Sequence, residues 1–365
     1  MKNIINNKKI VKVTGGTGGH IFPAISLAEY FSNKLLDVNF ITDKRGKNNP
    51  NLAALNPITI NVKGFVGKSI FQKIISIFLI IIYLCKSLLF LKRNKTDMVI
   101  GFGSYVQVPV IIAAKILNIK VLLHESNIIL GNANKYFWHY ARVRATAYNI
   151  INSSKNYEIV GMPVRKEILN LYKENYKFPK KNNKINILIL GGSLGSLILS
   201  KKLSKQICKL PIKIKKRLNV AHQSKVEDIK DIKSNYKLEN IKFEVRAYFY
   251  NIHKKLKQST LVICRAGAST ISENLIAGIP AIYIPLHNSV GAHQFFNAQM
   301  IKNNKAGWLI KENEIIKPKF ISLLSSLLSS NEPLEEASKN CKKIAKPQAQ
   351  ENLYRLVTGE LYEKL

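Results

Sequence analysis

An α/β fold made of two doubly wound parallel sheets is what this sequence predicts, on three observations. Strand-like β-branched runs alternate with helix-like segments, the pattern of parallel sheets wrapped by helices. A strand that empties into a glycine turn and then a helix occurs at Val11–His20, and the pattern starts again at Ile185–Ser196. At 365 residues the chain is too long for one typical core and suits two domains, each Rossmann-like.

In the first domain, expected over residues 1–163, the strand-like runs are Lys9–Val13, Val38–Thr42, Ile58–Val62, Met98–Gly101, Val121–His124 and Ala145–Ala147. After Tyr157–Val160, Gly161-Met162-Pro163-Val164-Arg165 breaks the chain ahead of a polar stretch through Pro179–Asn183. The second domain, expected over 164–345, offers Ile185–Leu190, Leu218–Ala221, Ile241–Val245, Leu261–Cys264 and Ala281–Ile284, with helices between. The last segment, 346–365, reads as a helix that packs back on the first domain. Two such sheets facing each other across a cleft would hold a ligand at the carboxyl ends of their strands.

The first turn, Gly15-Gly16-Thr17-Gly18-Gly19-His20, is phosphate-sized. Glycines let the backbone approach a ligand closely, and the helix start behind them offers unpaired N–H groups and a positive dipole end. An anionic group can sit there, with His20 beside it as a proton carrier. The spelling excludes a dinucleotide fingerprint, because Ile21 stands where G-x-G-x-x-G needs its last glycine. Nor is it a P-loop: the Gly-Lys-Ser ending is missing here, and at Gly67-Lys68-Ser69 the motif's first glycine is replaced by Val62. A turn of this kind also serves merely to close a tight strand-to-helix connection.

Lys and Arg number 57 against 22 Asp and Glu, a net charge of +35 that points to anionic partners: nucleic acid, phosphorylated substrates or an acidic membrane surface. The lysines are scattered among abundant Ile and Asn, as a biased composition also produces. Aromatics are not interleaved with basic residues in any RNA-binding motif, which sets nucleic acid aside. Cys85, Cys208, Cys264 and Cys341 lie far apart with no C-x-x-C pair, and polar Met1–Lys9 leads straight into a strand. The expectation is a reduced cytosolic protein with neither structural zinc nor a signal peptide.

Ile70–Leu91 is the most apolar stretch. Lys73 and Lys86 interrupt it and leave 12 uncharged residues, whereas crossing a bilayer takes about 20. Lys63, Lys68 and Lys73 precede it and Lys86, Lys92, Arg93 and Lys95 follow. These flanks suit a helix whose apolar side, with Ile75, Phe78 and Leu79, dips into an anionic leaflet. A buried core helix, apolar all round, is the other reading.

The second half contains Cys264-Arg265-Ala266-Gly267-Ala268-Ser269-Thr270-Ile271-Ser272-Glu273, again strand, turn and helix, with its carboxylate read as lying in the first helical turn. A carboxylate there complements the helix dipole, or accepts from two neighbouring sugar hydroxyls through its two oxygens. Ala292-His293-Gln294-Phe295-Phe296-Asn297 follows a strand ending Ile284-Pro285-Leu286 and supplies two amides, each able to donate to and accept from a sugar hydroxyl.

Together, Gly15–His20, Gly101-Phe102-Gly103-Ser104-Tyr105-Val106, His124-Glu125-Ser126-Asn127, Gly191-Gly192-Ser193, Cys264-Arg265-Ala266-Gly267 and His293–Asn297 closely resemble the MurG family of peptidoglycan glycosyltransferases, members of glycosyltransferase family 28 with the GT-B fold. The resemblance covers nearly the whole chain in the right order. It implies transfer of N-acetylglucosamine from UDP-N-acetylglucosamine to the C4 hydroxyl of the muramoyl-pentapeptide of undecaprenyl-pyrophosphate-linked lipid I, giving lipid II with inversion. It also implies a peripheral protein on the cytoplasmic face of the inner membrane, against anionic lipids, with no cofactor. By position, the resemblance implies donor contacts from Thr17, Gly18, Gly19, Asn127, Arg165 and Ser193. It adds Phe249 at the uracil, the run Ala268, Ser269, Thr270, Ile271, Ser272 and Glu273, with Glu273 on the ribose, and Gln294 with Asn297 on the transferred sugar. Arg165, Ser193 and the loop N–H groups would stabilise the diphosphate as charge builds on the leaving group.

No Asp-x-Asp occurs in the chain. Carboxylates at the spacing that holds a divalent ion on a nucleotide diphosphate are therefore missing, and helix N-termini with arginine are left to neutralise it. Inversion in one displacement needs a base for the acceptor hydroxyl. His20 is the candidate, with hydrogen bonding to a phosphate or the donor sugar as its other role, and with His124 and Glu125 as alternative bases. Three positions depart from the family: Met162 where asparagine is usual, Leu194 where glutamine is common, and Ala292 where an aspartate often precedes the His-Gln pair. A GT-B enzyme acting on a different lipid or a small glycoside is the rival reading.

Overall fold

Runs of Val, Ile and Leu buried on both faces make parallel strands, because helices cover both sides of the sheet they form. The computed structural model describes residues 8–15, 18–34, 36–62, 69–151, 156–180, 183–191, 198–287 and 290–362. Two compact units emerge, Met1–Arg165 joined by Gln348–Leu365, and Lys166–Pro347.

In the first unit the order is β1 (Lys9–Val13), α1 (Gly18–Ser32), β2 (Asp37–Thr42), α2 (Lys44–Lys47), α3 (Pro50–Ala53), β3 (Ile58–Thr59), α4 (Ile70–Arg93), β4 (Met98–Gly101), α5 (Gln107–Ile116), β5 (Lys120–Glu125), α6 (Asn132–Phe137), β6 (Val143–Thr146) and β7 (Glu158–Ile159). Its sheet runs β3-β2-β1-β4-β5-β6-β7, and every pairing is parallel. The chain works outward from β1 to β3 and then restarts on the other side at β4. The carboxyl ends of β1 and β4 are thus the switch point, where such sheets leave a crevice.

Alternate β1 residues serve two cores. Ile10 joins Phe31, Phe40 and Ile100 under α1, while Val11 and Val13 join Val99, Val110 and Leu123 on the opposite face. α16 (Ala349–Tyr362) adds Leu353 and Val357 to the first of these cores. Its Gln350 Nε2 donates to Ser26 Oγ at 3.0 Å and Val164 O at 2.8 Å, sewing the 160–165 segment to α1.

α4 is a continuous helix of 24 residues capped by Ser69, whose side chain accepts from Gln72 N. Lys86 sits within it without breaking it, so the count of 12 uncharged residues understated its length. Residues Ile74–Arg93, whose most apolar 18-residue window has mean hydropathy 2.6, are long and apolar enough to cross a membrane by length and composition. One face nevertheless packs on the domain: Ser76, Ser87 and Leu91 are buried, and Ile80, Tyr83, Leu84 and Leu88 lie against the core. The two serines reach back to Gln72 O and Tyr83 O, which satisfies their hydroxyls. Phe71, Ile74, Ile75, Phe78, Ile81 and Leu89 stand in the open, Phe78 at 64% exposure, which overturns the buried-helix reading; Leu79 is half-buried.

The second unit comprises α7 (Lys166–Leu169), β8 (Ile185–Leu190), α8 (Leu203–Ile207), α9 (Ile212–Lys215), β9 (Leu218–Gln223), α10 (Ile229–Leu238), β10 (Lys242–Arg246), α11 (Ile252–Gln258), β11 (Leu261–Cys264), α12 (Ala268–Ala277), β12 (Ala281–Tyr283), α13 (His293–Asn303), β13 (Gly307–Leu309), α14 (Pro318–Ser329) and α15 (Glu332–Ile344). The parallel order β10-β9-β8-β11-β12-β13 repeats the same logic, with its switch point between β8 and β11. β13 was not anticipated from the sequence.

Candidate active site

In the first unit, three loops meet at the carboxyl ends of β1, β4 and β5. Thr14 N donates to Ile41 O and Phe102 N to Val13 O, so the strands stay in register up to the turns. Gly15 permits the close approach: a Cβ there would lie 2.6 Å from Val106 Cγ2 and 2.9 Å from Ser104 Oγ. Thr17 falls outside the described residues. Gly18 and Gly19 open α1, whose first turn carries no acidic residue to compete for an anion. His20, the next residue, is half-buried.

The alternative bases sit differently. His124 is fully buried, and its Nε2 lies 2.9 Å from Gly161 O. Burial pushes its pKa below the usual 6.5; Gly161 O and Glu125 pull the other way, and nearby His20 lowers it further. Glu125 is also buried, its Oε1 accepting from Asn127 N (2.9 Å) and Nδ2 (3.1 Å) and its Oε2 from Gly131 N (2.9 Å) and Asn134 Nδ2 (2.8 Å). A carboxylate with four donors organises loops; of the three candidates, His20 has the most access to solvent. Arg165 stacks its guanidinium on Phe22, 4.8 Å from the ring centroid, which fixes it close to the start of α1.

In the second unit, Gly191 follows β8, while Ser193 and Leu194 lie outside the described residues. After β11, Arg265 turns inward: its Nη1 donates to Ile284 O (3.1 Å) and Pro285 O (3.2 Å), and its Nη2 pairs with Glu312 Oε1. That tie fastens the ends of β11 and β12 together. Gly267 then caps α12 with extended backbone and no side-chain hydrogen bond, which places the backbone N–H groups of the first turn at the positive end of the helix. Ala268, Ile271 and Ser272 have buried side chains, whereas Ser269, Thr270 and Glu273 are half-exposed.

One sequence expectation needs correction, and two others gain detail. Glu273 is the sixth residue of α12, in its second turn and not its first, because the helix begins directly after Gly267. Its value as a dipole partner fades accordingly, and its value as an acceptor remains. Asn297 is fully buried on α13 and its Nδ2 donates to Ala266 O at 3.2 Å, so its amide braces the turn from behind. The Phe249 ring is buried with Lys255 Nζ 5.6 Å from its centroid; the open aromatic surface of that loop belongs to Tyr248 and Tyr250, packed edge to face at 5.0 Å.

Gln294 comes at the start of α13 and its Oε1 accepts from Leu286 N at 3.0 Å. This ties α13 to the end of β12. Ala292, where the family often has aspartate, adopts φ 52 at the cap, an uncommon conformation for a residue with a Cβ. Sequence reasoning passed over Gln107, Asn134, Glu312 and the two tyrosines; the glycines at 101 and 103 were the available signal for Gln107.

Residues 10–146 match the N-terminal domain of glycosyltransferase family 28, and residues 186–353 its C-terminal domain. A UDP-N-acetylglucosamine--N-acetylmuramyl-(pentapeptide) pyrophosphoryl-undecaprenol N-acetylglucosamine transferase of Wolbachia sp. subsp. Brugia malayi (strain TRS) is 33% identical over 353 residues, covering 96% of this chain and 99% of the relative. A protein of the same name from Francisella tularensis subsp. tularensis (strain SCHU S4 / Schu 4) is 34% identical over 379 aligned positions, covering 99% and 100%. The crystal structure of Acinetobacter baumannii MurG is 28% identical with a TM-score of 0.78, covering 96% of this chain and 99% of that one. CalG4, the calicheamicin glycosyltransferase, shares the fold at 10% identity, with a TM-score of 0.70 and coverage of 98% and 99%.

Proposed function

The chain belongs to glycosyltransferase family 28, with the GT-B arrangement of two Rossmann-like domains, and from that premise we propose its reaction. It transfers N-acetylglucosamine from UDP-N-acetylglucosamine to N-acetylmuramyl-pentapeptide pyrophosphoryl-undecaprenol, lipid I, forming lipid II for peptidoglycan. The similarity of nearly the whole chain to transferases of that name carries this reading. The N-terminus of α12, with half-exposed Glu273 in its second turn, supports the matching chemistry: backbone N–H groups for a diphosphate and a two-oxygen acceptor for ribose hydroxyls.

In the proposed mechanism, His20 accepts the proton of the acceptor C4 hydroxyl as that oxygen attacks the anomeric carbon. The bond from the anomeric carbon to the diphosphate oxygen breaks on the opposite face, and UDP departs with the electron pair. Arg165, Ser193, the α1 loop of Thr17, Gly18 and Gly19, and the α12 N-terminus stabilise the charge that builds on the diphosphate. Asn127 and Gln294 orient the donor; Asn297 acts through the Ala266 turn it holds, and the Phe249 loop takes the uracil.

The exposed apolar stripe of α4 and its basic C-terminal part, with Lys86, Lys92 and Arg93, support peripheral binding to the cytoplasmic face of the inner membrane, where a lipid-linked acceptor would be met. One packed face argues for a helix lying in the interface. The test is incubation with labelled UDP-N-acetylglucosamine and a lipid I analogue in EDTA. A labelled disaccharide lipid is the expected product; no product together with no donor binding overturns the proposal.

A further inference from the structure

Gln107, the first residue of α5, is fully buried, and its carboxamide is used at both ends. Oε1 accepts from Gly103 N at 2.9 Å, and Nε2 donates to Asn134 Oδ1 at 2.7 Å. Asn134 carries the connection onward, donating through Nδ2 to Glu125 Oε2 at 2.8 Å and to His124 O at 3.2 Å. The other oxygen of Glu125 holds Asn127. One side chain thus ties the turn after β4 to the loop after β5 and to the start of α6.

The surroundings are shaped for it. A Cβ on Gly101 would stand 2.5 Å from Gln107 Oε1 and 2.9 Å from Leu123 Cδ2, so a side chain there would collide with the carboxamide. Gly103, held by that same oxygen, takes φ +89 and lies against His20; a Cβ on it would be 3.6 Å from His20 Cε1. The next residue, Ser104, also has positive φ, at 74. Two consecutive left-handed residues form a turn that needs an outside hold, and Gln107 supplies one.

We infer that Gln107 is a positioning residue for sugar transfer, fixing the Gly103 turn against His20 and, through Asn134, the Glu125 carboxylate that holds Asn127. Its kinetic consequence rests on the transferase reading and on the role proposed there for His20; the clamp itself does not. A buried network in which the bonds link end to end specifies one geometry, and a misplacement of about 1 Å at a reacting group costs on the order of a hundredfold in rate.

Two variants of the full chain separate positioning from mere stability. Gln107→Met fills the same space but leaves Gly103 N and Asn134 Oδ1 without this partner. Gln107→Glu keeps an acceptor for Gly103 N, loses the donor to Asn134, and buries a carboxyl group. Positioning predicts the kcat order Gln, Glu, Met, with Met roughly 10- to 100-fold below wild type, although thermal stability runs Gln, Met, Glu. Amide exchange at Gly103 should be slow in wild type, fast in Gln107→Met and slow again in Gln107→Glu. A kcat order that follows stability, or a Met variant within twofold of wild type, overturns the role in catalysis. If wild type itself transfers no sugar, the proposed function fails; the exchange measurement then decides the clamp alone, and unchanged Gly103 protection in Gln107→Met overturns it.

Discussion

Lys12 Nζ lies 4.1 Å from the centroid of the Phe31 ring, fully buried, with no hydrogen-bond partner among the described residues. It points from the middle of β1, paired in register with Phe40 and Ile100, into the core beneath α1. Burial holds its pKa well below the ordinary 10.5. Replacement by methionine keeps the length and removes the polar end, so Lys12→Met should stabilise the fold by about 1–3 kcal/mol, the cost of an unsatisfied buried group. Because the folded pKa is lowered, the unfolded chain binds the extra proton between that value and 10.5, and wild-type stability rises with pH across this window. The Tm gap between the variant and wild type should therefore narrow as pH approaches 10.5. A constant gap, or a less stable variant, counts against the buried-amine account.

His20→Ala separates a base from a binder. A base predicts kcat down by roughly 10²- to 10⁴-fold, with the Kd for UDP-N-acetylglucosamine, read by calorimetry, nearly unchanged. Loss of donor affinity in proportion to rate would assign His20 to binding.

Removing the carboxylate that faces Arg265 tests the second unit. Arg265 and Glu312 side chains are 8% and 14% exposed, so Glu312→Ala strands a nearly buried guanidinium, at a cost of about 3–5 kcal/mol. The same variant should raise the KM for the donor, since Arg265 holds the ends of β11 and β12 together. A thermal shift no larger than that of an exposed ion pair, under about 1 kcal/mol, would show the pair to be dispensable.

Membrane binding is expected to follow the open face of α4. Phe78→Asp should weaken binding to vesicles containing anionic lipid by on the order of 10- to 100-fold, the equivalent of losing one buried aromatic side chain, and added salt should weaken wild-type binding too. Leu238→Asp, at a still more open position on α10, is the control and should change nothing. Equal behaviour of the two variants would remove α4 from the interface.

Much of this architecture is legible in the chain because parallel strands buried on both faces leave continuous apolar runs, as at Met98–Gly101 and Leu261–Cys264. β13 was not, since three residues, Gly307–Leu309, at the edge of a sheet carry too short a pattern to register. Lys12 misleads for a related reason: a charge inside a strand reads as a solvent-facing position, and only the covering helices reveal otherwise. Direction is the other loss. Asn297 and Phe249 belong to elements the sequence places near the donor, yet the inward turn of both side chains depends on packing that no local motif records. For Gln107 the glycines at 101 and 103 mark a tight turn but do not name what holds it, since its partners Gly103 and Asn134 stand four and twenty-seven positions away.

The return of α16 to the first unit sets an order of events during synthesis. Leu353 and Val357 complete the core that contains Phe31 and Phe102, and Gln350 closes the seam between Ser26 and Val164. A chain emerging N-terminus first exposes all of Lys166–Pro347 before those residues exist outside the ribosome. The second unit can therefore finish folding while the first still waits with an apolar flank uncovered. The half of the enzyme made first is the half completed last, and during that interval it is the surface on which a chaperone would act.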